Sequence, residues 1–303
     1  MAYLCIVTLL WSFSFSLIGV YLASSVDSYF AVMFRVVLAL LVFVPLLRPK
    51  RTPLKTAIGL MAVGALQIGA MYIFFYQSFE VLSVPEVLLF TILTPFYVTL
   101  LDDALARHFS PFHLLTAAIA VAGALIITPH HVNAGFWHGF LLVQASNLCF
   151  ALGQIAYRRL PGIGKKGVNE GQADVEEPSN GVGSALGQFG WFYIGATILL
   201  VPAYLMFGNN AHLPTTVPQW GILVWLGVVA SGIGYYLWNQ GARQVDAGTL
   251  AIMNEALKPV GLAVNVIFWN HSADIPRLLM CALVICLALA LNLWGNRRKR
   301  RVA

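Results

Sequence analysis

The stretch Gly234–Pro259 reads GYYLWNQGARQVDAGTLAIMNEALKP and joins the end of one apolar run to the start of the next. Its first part is aromatic and ends near the amide Asn239, and its last part places Asn254, Glu255 and Lys258 among apolar residues. Charged and amide side chains are costly in lipid, so they need a protein-lined or watery site. Polar sites inside apolar helices are where membrane transporters hold their solutes. The stretch therefore predicts a solute site that the other apolar runs enclose.

Pro259 follows Lys258 directly and lies well inside the second apolar run of this stretch. Proline removes a backbone donor and disturbs the hydrogen bonding of a helix. Broken helices are tolerated at membrane depth where they line a cavity. We therefore expect a broken helix at Pro259.

The composition indicates a membrane protein. The chain has 303 residues, of which 59% are hydrophobic and 10% are charged, whereas soluble domains carry roughly 25% charged residues. One span needs about 20 apolar residues, and the apolar runs with their short loops use nearly the whole chain. We predict an all-α polytopic membrane protein with ten transmembrane helices at residues 2–22, 29–47, 57–77, 83–101, 112–128, 136–157, 188–207, 219–239, 248–268 and 276–294.

The basic residues indicate the orientation in the membrane. The net charge of +6 could suggest a nucleic-acid partner, but nearly all of the Lys and Arg residues follow every second apolar run. This alternation is typical of cytoplasmic loops, and it places both termini in the cytoplasm. Only Arg277 falls on the outer side. The expected surroundings are the lipid bilayer and a small-molecule substrate, without nucleic acid, and the oligomeric state is left open.

Two short motifs recur in the same order in the two halves. Tyr72-x-x-x-Tyr76-Gln77 has its counterpart in Tyr235-x-x-x-Asn239-Gln240, and the string TILTP at 91–95 has its counterpart in EALKP at 255–259. The recurrence predicts two five-helix repeats, and five spans per repeat invert the second copy. The repeats would cover 1–128 and 136–303, the second with a flexible cytoplasmic loop at 160–187 and a basic cytoplasmic tail at 295–303.

Several strings carry a family resemblance. Trp11–Phe15, Phe34-Arg35 and Pro95 resemble the drug/metabolite transporter superfamily, in its EamA-type branch of carboxylate, amino acid and amine transporters. The long string from Gln219 to Asn254 is similar to bacterial biotin transporters of the YigM type. The resemblance implies a secondary transporter of the bacterial inner membrane that takes up biotin by alternating access. Export of amino acids, amines or drugs is the alternative within the superfamily.

No motif for catalysis, ATP binding, a cofactor or a metal appears in the sequence, so we do not expect an enzyme. Among the candidate substrate residues, Arg35 suits a carboxylate because its guanidinium is planar, bidentate and permanently charged. Its alternative role is structural, paired with Glu86 or a carbonyl. Glu86 could titrate during transport, or it could simply lie at a helix N-terminus, where negative charge is favoured.

Glu255 and Lys258 are three residues apart and therefore share a helix face, so we expect an ion pair. A substrate carboxylate that competes for Lys258 is the sharper hypothesis. Amides could bind the ureido group of biotin because they offer a donor and an acceptor, or they could only join helices. The amide candidates are Gln77, Asn147, Asn239 and Asn254. The aromatic candidates for a ring-binding wall are Trp11, Tyr76 and Tyr235.

Overall fold

The computed structural model describes residues 1–23, 25–82, 86–87, 90–107, 109, 111–125, 136–163, 181–269 and 275–302. These residues form helices and short connections, without a strand. Six stretches among them are long and apolar enough to cross a membrane. The long helices are α1 (Ala2–Tyr21), α2 (Ser28–Phe43), α3 (Leu54–Val81), α4 (Thr94–Ala106), α5 (Pro111–Leu125), α6 (Phe136–Arg159), α7 (Gly181–Phe207), α8 (Val217–Arg243), α9 (Ala247–Trp269) and α10 (Ile275–Val302).

The predicted loop at 160–187 is partly wrong. Helix α7 begins at Gly181, so the last residues of that loop are helical, and residues 164–180 lie outside the described residues. The glycine-rich composition suggested a linker, but Ala185 is buried and Leu186 packs against the core. Tertiary packing therefore overrides a weak local helix propensity here. At the other end of the chain, α10 continues to Val302, so most of the predicted basic tail extends a helix.

The predicted break at Pro259 is also wrong, because α9 continues through it without interruption. Neighbouring helices allow proline inside a membrane helix when they re-satisfy the freed backbone. The irregular segment lies instead in the region of the fourth predicted helix, where a 3₁₀ turn at Thr91–Leu93 precedes α4 and Pro95. Residues 83–85 and 88–89 of that predicted helix lie outside the described residues.

Helices α3 and α8 each contain a π-helical segment, at Ala65–Ala70 and Leu226–Ile233. A π segment widens the helix, and such segments are frequent at functional sites. In α8 the widened turn accepts hydrogen bonds from other helices. The indole of Trp11 donates to the carbonyl of Ala230 at 2.9 Å, and the hydroxyl of Tyr193 donates to the carbonyl of Ser231 at 2.6 Å. These bonds fix α1 and α7 against the middle of α8.

Glycines allow a close helix crossing between α3 and α7. A Cβ atom added to Gly64 would lie 1.8 Å from the carbonyl oxygen of Phe192, and one added to Gly195 would lie 1.9 Å from that of Met61. Small residues at such crossings let two backbones approach closely in a membrane. Any side chain at Gly64 or Gly195 would therefore force α3 and α7 apart.

Asp246 precedes α9 and ties its start to α10. Its carboxylate accepts hydrogen bonds from the backbone and hydroxyl of Thr249 and, at 2.9 Å, from the side-chain amide of Asn292. Burial by itself would raise the pKa of Asp246, but the hydrogen bonds from Thr249 and Asn292 outweigh that effect and lower the pKa below its usual value. The ionised carboxylate is thus part of the folded structure at neutral pH.

Candidate functional site

A cavity lies among α1, α2, α3, α6, α8, α9 and the segment that leads into α4. Its empty volume is about 840 Å³, including the space at its open mouth. Its aromatic lining consists of Trp11, Phe15, Tyr72, Phe75, Phe150, Tyr235 and Trp238. Its polar lining consists of Ser14, Arg35, Thr91, Thr94, Ser146, Asn147, Asn254 and Lys258.

Arg35 lies in the cavity wall and is only 2% exposed. Its Nε donates to the hydroxyl of Ser231 at 2.8 Å, and its Nη1 donates to the hydroxyl of Tyr76 at 2.7 Å. A longer bond of 3.5 Å joins Nη2 to the carbonyl of Leu226, in the π segment of α8. The guanidinium carbon also lies 4.2 Å from the ring centre of Tyr72. These four contacts hold the guanidinium plane in one orientation.

All the partners of Arg35 are neutral. In the part of the chain that the structure describes, no carboxylate lies within 4.0 Å of this guanidinium. The sequence-based alternative of a pair with Glu86 is therefore not realised in this structure. The contacts leave one N–H on Nη1 and one on Nη2, which together can bind a carboxylate in a bidentate manner. A buried cation without a counter-ion favours an anionic ligand.

The expected ion pair between Glu255 and Lys258 is present. Both side chains are buried, Glu255 completely and Lys258 to 4% exposure. Lys258 lines the cavity, whereas Glu255 lies behind it. The Oε2 atom of Glu255 has no hydrogen-bond partner. The pair therefore presents its positive member to the cavity and keeps its negative member in the protein.

Three polar groups on the cavity wall are available for a neutral ligand group. Asn147 donates through Nδ2 to the carbonyl of Phe90 at 3.0 Å, and Asn254 donates through Nδ2 to that of Leu250 at 2.9 Å. Because a carbonyl can only accept, these bonds fix both amides and leave each Oδ1 as an acceptor. The Oγ atom of Ser14 is buried and has no partner, so it can donate.

Aromatic side chains close one side of the cavity. The ring centre of Trp11 lies 4.8 Å from that of Tyr235 and 4.9 Å from that of Trp238. Phe150 packs edge-on against Trp11 at 5.9 Å. Beneath this layer, the indole of Trp238 donates to Oε1 of Gln154 at 3.0 Å. These tilted rings form an apolar wall against which a ring system can pack.

The structure brings six of the predicted substrate residues to this one cavity, and they are Trp11, Arg35, Asn147, Tyr235, Asn254 and Lys258. Tyr76 is a positioning residue, because its hydroxyl holds Arg35. Gln77 donates to the hydroxyl of Tyr29, and Asn239 accepts from Gln67 at 3.1 Å. Neither Gln77, Asn239 nor the buried Glu86 belongs to the lining, so these three are not in contact with the cavity.

Sequence reasoning did not select Ser14, Ser231 or Tyr193. Ser14 belongs to the Trp11–Phe15 motif, and a serine that does not bond back to its own helix is visible only in a structure. Ser12, by contrast, donates to the carbonyl of Thr8 at 2.6 Å. Ser231 holds Arg35 from within the π segment, where no sequence signal distinguishes it from a packing residue.

Comparison with known proteins identifies the family. The sequence profile of the EamA-like transporter family matches residues 1–128 and 183–294. The chain belongs to this family. As an EamA-like transporter with apolar helices, it is a multi-pass membrane protein.

Curated relatives of this EamA-like transporter carry more specific names. It is 47% identical over 300 residues to the probable biotin transporter of Pseudomonas aeruginosa, covering 99% of this chain and 100% of that protein. It is 46% identical over 299 residues to the biotin transporter of Escherichia coli K12, covering 98% of this chain and 93% of that protein. A crystal structure with 16% sequence identity superposes with a TM-score of 0.72 over 96% of this chain and 95% of that chain, which shows a shared fold.

Proposed function

We propose that this EamA-like transporter imports biotin across the bacterial inner membrane by alternating access, without changing the solute chemically. The observation that carries the proposal is the buried Arg35 in the wall of an aromatic-lined cavity, where no carboxylate of the described residues pairs with it. The family and the nearly half-identical relatives named biotin transporters support the choice of solute. Biotin combines one carboxylate, one ureido group and an apolar ring, and the cavity offers a counterpart for each.

The carboxylate of biotin is proposed to bind the free N–H edge of Arg35, with Lys258 as a second cation on the same cavity. The two N–H groups of the ureido ring would donate to Oδ1 of Asn147 and Asn254, and its carbonyl would accept from Ser14. The thiophene ring would pack against the aromatic layer of Trp11 and Tyr235. Amides and hydroxyls arranged in this way would reject a fatty acid, because its chain would leave them unpaired.

The proposed architecture is ten spans arranged as two inverted five-helix repeats, 1–128 and 136–303, with both termini in the cytoplasm. The helix packing supports this arrangement, because corresponding helices of the two halves have corresponding neighbours. Helix α1 packs against α8 and α9, and its counterpart α6 packs against α3 and α4. Helix α2 packs against α8, and its counterpart α7 packs against α3. Each π segment also directly precedes its copy of the Tyr-x-x-x motif. Inverted halves around a midplane site favour access from either side in turn.

The test is the uptake of labelled biotin by bacteria that lack both biotin synthesis and their own biotin transporter. Cells that produce this chain are compared with cells that carry an empty vector, at nanomolar external biotin, and membrane insertion is checked by immunoblot. Saturable uptake above the vector level is the expected result. Inserted protein without uptake would contradict the proposal. Resistance to toxic amino acid or amine analogues on overproduction would favour export instead.

A further inference from the structure

The ion pair behind the cavity wall is arranged so that a bound anion would break it. Lys258 lines the cavity, whereas Glu255 is completely buried and touches the cavity only through Lys258. One carboxylate oxygen of Glu255 contacts Lys258, and the other, Oε2, has no partner. An anion that enters the cavity and attracts Lys258 therefore competes with Glu255 for the same ammonium group.

A buried carboxylate that loses the cation paired with it cannot remain charged at low cost. Burial disfavours the ionised form, and a buried group in this position neutralises itself by binding a proton. Breaking a buried pair by drawing away one partner is strongly unfavourable for the same reason. Proton binding to Glu255 would remove that penalty, so that Lys258 can pair with the anion instead.

We propose that Glu255 takes up one proton when the substrate carboxylate engages Lys258, so that the anion and the proton cross the membrane together. The inference rests on the proposed function as a biotin importer. The proton comes from the water at the open cavity and adds to the Glu255 carboxylate, and no other bond changes. When the anion leaves on the other side, Lys258 pairs with Glu255 again and the proton is released there.

The coupling would serve net import. The membrane potential is negative inside, so it opposes the entry of a lone anion. A proton that travels with each biotin carboxylate cancels that charge, and uptake is then driven by the pH gradient. The coupling is reciprocal. The factor by which the bound anion raises the affinity of Glu255 for a proton equals the factor by which protonation of Glu255 raises the affinity of the protein for the anion.

Other ionisable groups do not offer an equivalent path to Glu255. Helices α1, α4, α5 and α10 pack against α9. The ionisable residues on these helices whose side chains the structure describes are Tyr3, Cys5, Tyr21, Tyr97, Asp102, Asp103, His113 and Cys286. Of the described charges, including that of Arg35 on the cavity wall, only that of Lys258 acts on Glu255. Lys258 is thus the described cation that balances the charge of Glu255 next to the cavity.

The first experiment measures proton uptake by the purified wild-type protein as biotin binds, by calorimetry in buffers of different ionisation enthalpy between pH 6 and 8. Biotin itself stays ionised in this range, since carboxyl groups titrate at about pH 4. We expect net proton uptake that approaches one per biotin, and an affinity that rises up to about tenfold for each unit by which the pH falls. Binding of biotin without any proton uptake across the range would overturn the proposal.

The second experiment compares Glu255→Gln with Glu80→Gln in proteoliposomes with an imposed pH gradient. Glu80 is an exposed glutamate at the end of α3 and serves as the matched control. Glu255→Gln should still exchange labelled for unlabelled biotin, yet acid outside should no longer drive accumulation, while Glu80→Gln should behave as the wild type. Acid-driven accumulation by Glu255→Gln would contradict the inference. A wild-type protein that does not bind biotin would instead refute the proposed function itself.

Discussion

Substitutions of Arg35 test the chemistry of the cavity most sharply. Lysine at this position keeps the charge but loses the fork of N–H donors, and methionine loses both. The structure leaves two guanidinium N–H groups for a ligand, so Arg35→Lys removes one charge-assisted hydrogen bond, worth about 1.5–3 kcal/mol. Because each 1.4 kcal/mol is about tenfold in affinity, the Kd for biotin should rise by about 10- to 150-fold. Arg35→Met should abolish measurable binding.

The assay is equilibrium binding of biotin and of biotin amide, a neutral analogue, to the purified wild type and both variants. The amide already lacks the carboxylate, so Arg35→Lys should change its Kd much less than that of biotin. The difference between the two ligands is a double-mutant cycle that isolates the pair formed by guanidinium and carboxylate. Equal losses for biotin and biotin amide, or unchanged binding of biotin by Arg35→Met, would refute the assignment.

Other predictions concern packing, pH and the ureido group. Gly64→Ala should lower the melting temperature in detergent, because its Cβ would meet the Phe192 carbonyl at 1.8 Å and overpacking costs about 1–3 kcal/mol. Gly221→Ala should leave the melting temperature unchanged or raise it, because no atom lies within 4 Å of the new Cβ. An equal fall in the melting temperature of both glycine variants would contradict this packing argument. Asp246→Ala should destabilise at neutral pH by about 1 kcal/mol, as lost helix caps do. Folding lowers the pKa of Asp246. The stability that its carboxylate contributes is therefore fully present above the ordinary pKa of about 4, and it is lost as the pH falls through the pKa of the folded state. The melting curves of this variant and the wild type should therefore converge in acid, and a gap that persists there would count against the ionised cap. Ser14→Ala should raise the Kd for biotin about fivefold, because it removes one neutral hydrogen bond worth about 1 kcal/mol. An unchanged Kd would show that Ser14 does not bind biotin.

The sequence alone was sufficient to find most of the cavity wall. Arg35, Asn254 and Lys258 stand out because polar side chains are rare in apolar runs. Trp11 and Tyr235 stand out through the family-like and repeated motifs. These five residues lie on four different helices, and the structure brings all of them to one cavity.

Gln77 and Asn239 were chosen by the same reasoning, but they lie away from the cavity. Both follow a π segment, at Ala65–Ala70 in α3 and at Leu226–Ile233 in α8. Tyr235 follows the same segment of α8 and does line the cavity, whereas Gln77 and Asn239 bond to Tyr29 and Gln67 on neighbouring helices, which only the structure shows. The sequence carries no recognised signal for the π segments. The widened turn of α8 exposes the carbonyls that hold Trp11 and Arg35.

The measurement that tests the central claim most directly is counterflow of biotin in proteoliposomes that contain only this protein. Vesicles loaded with unlabelled biotin are diluted into labelled biotin, with protein-free vesicles and Arg35→Met vesicles as controls. We expect transient accumulation of label in the wild-type vesicles, inhibited by excess external biotin and absent from both controls. Label that enters wild-type and Arg35→Met vesicles equally, or enters none of them, would contradict a biotin transporter built around Arg35.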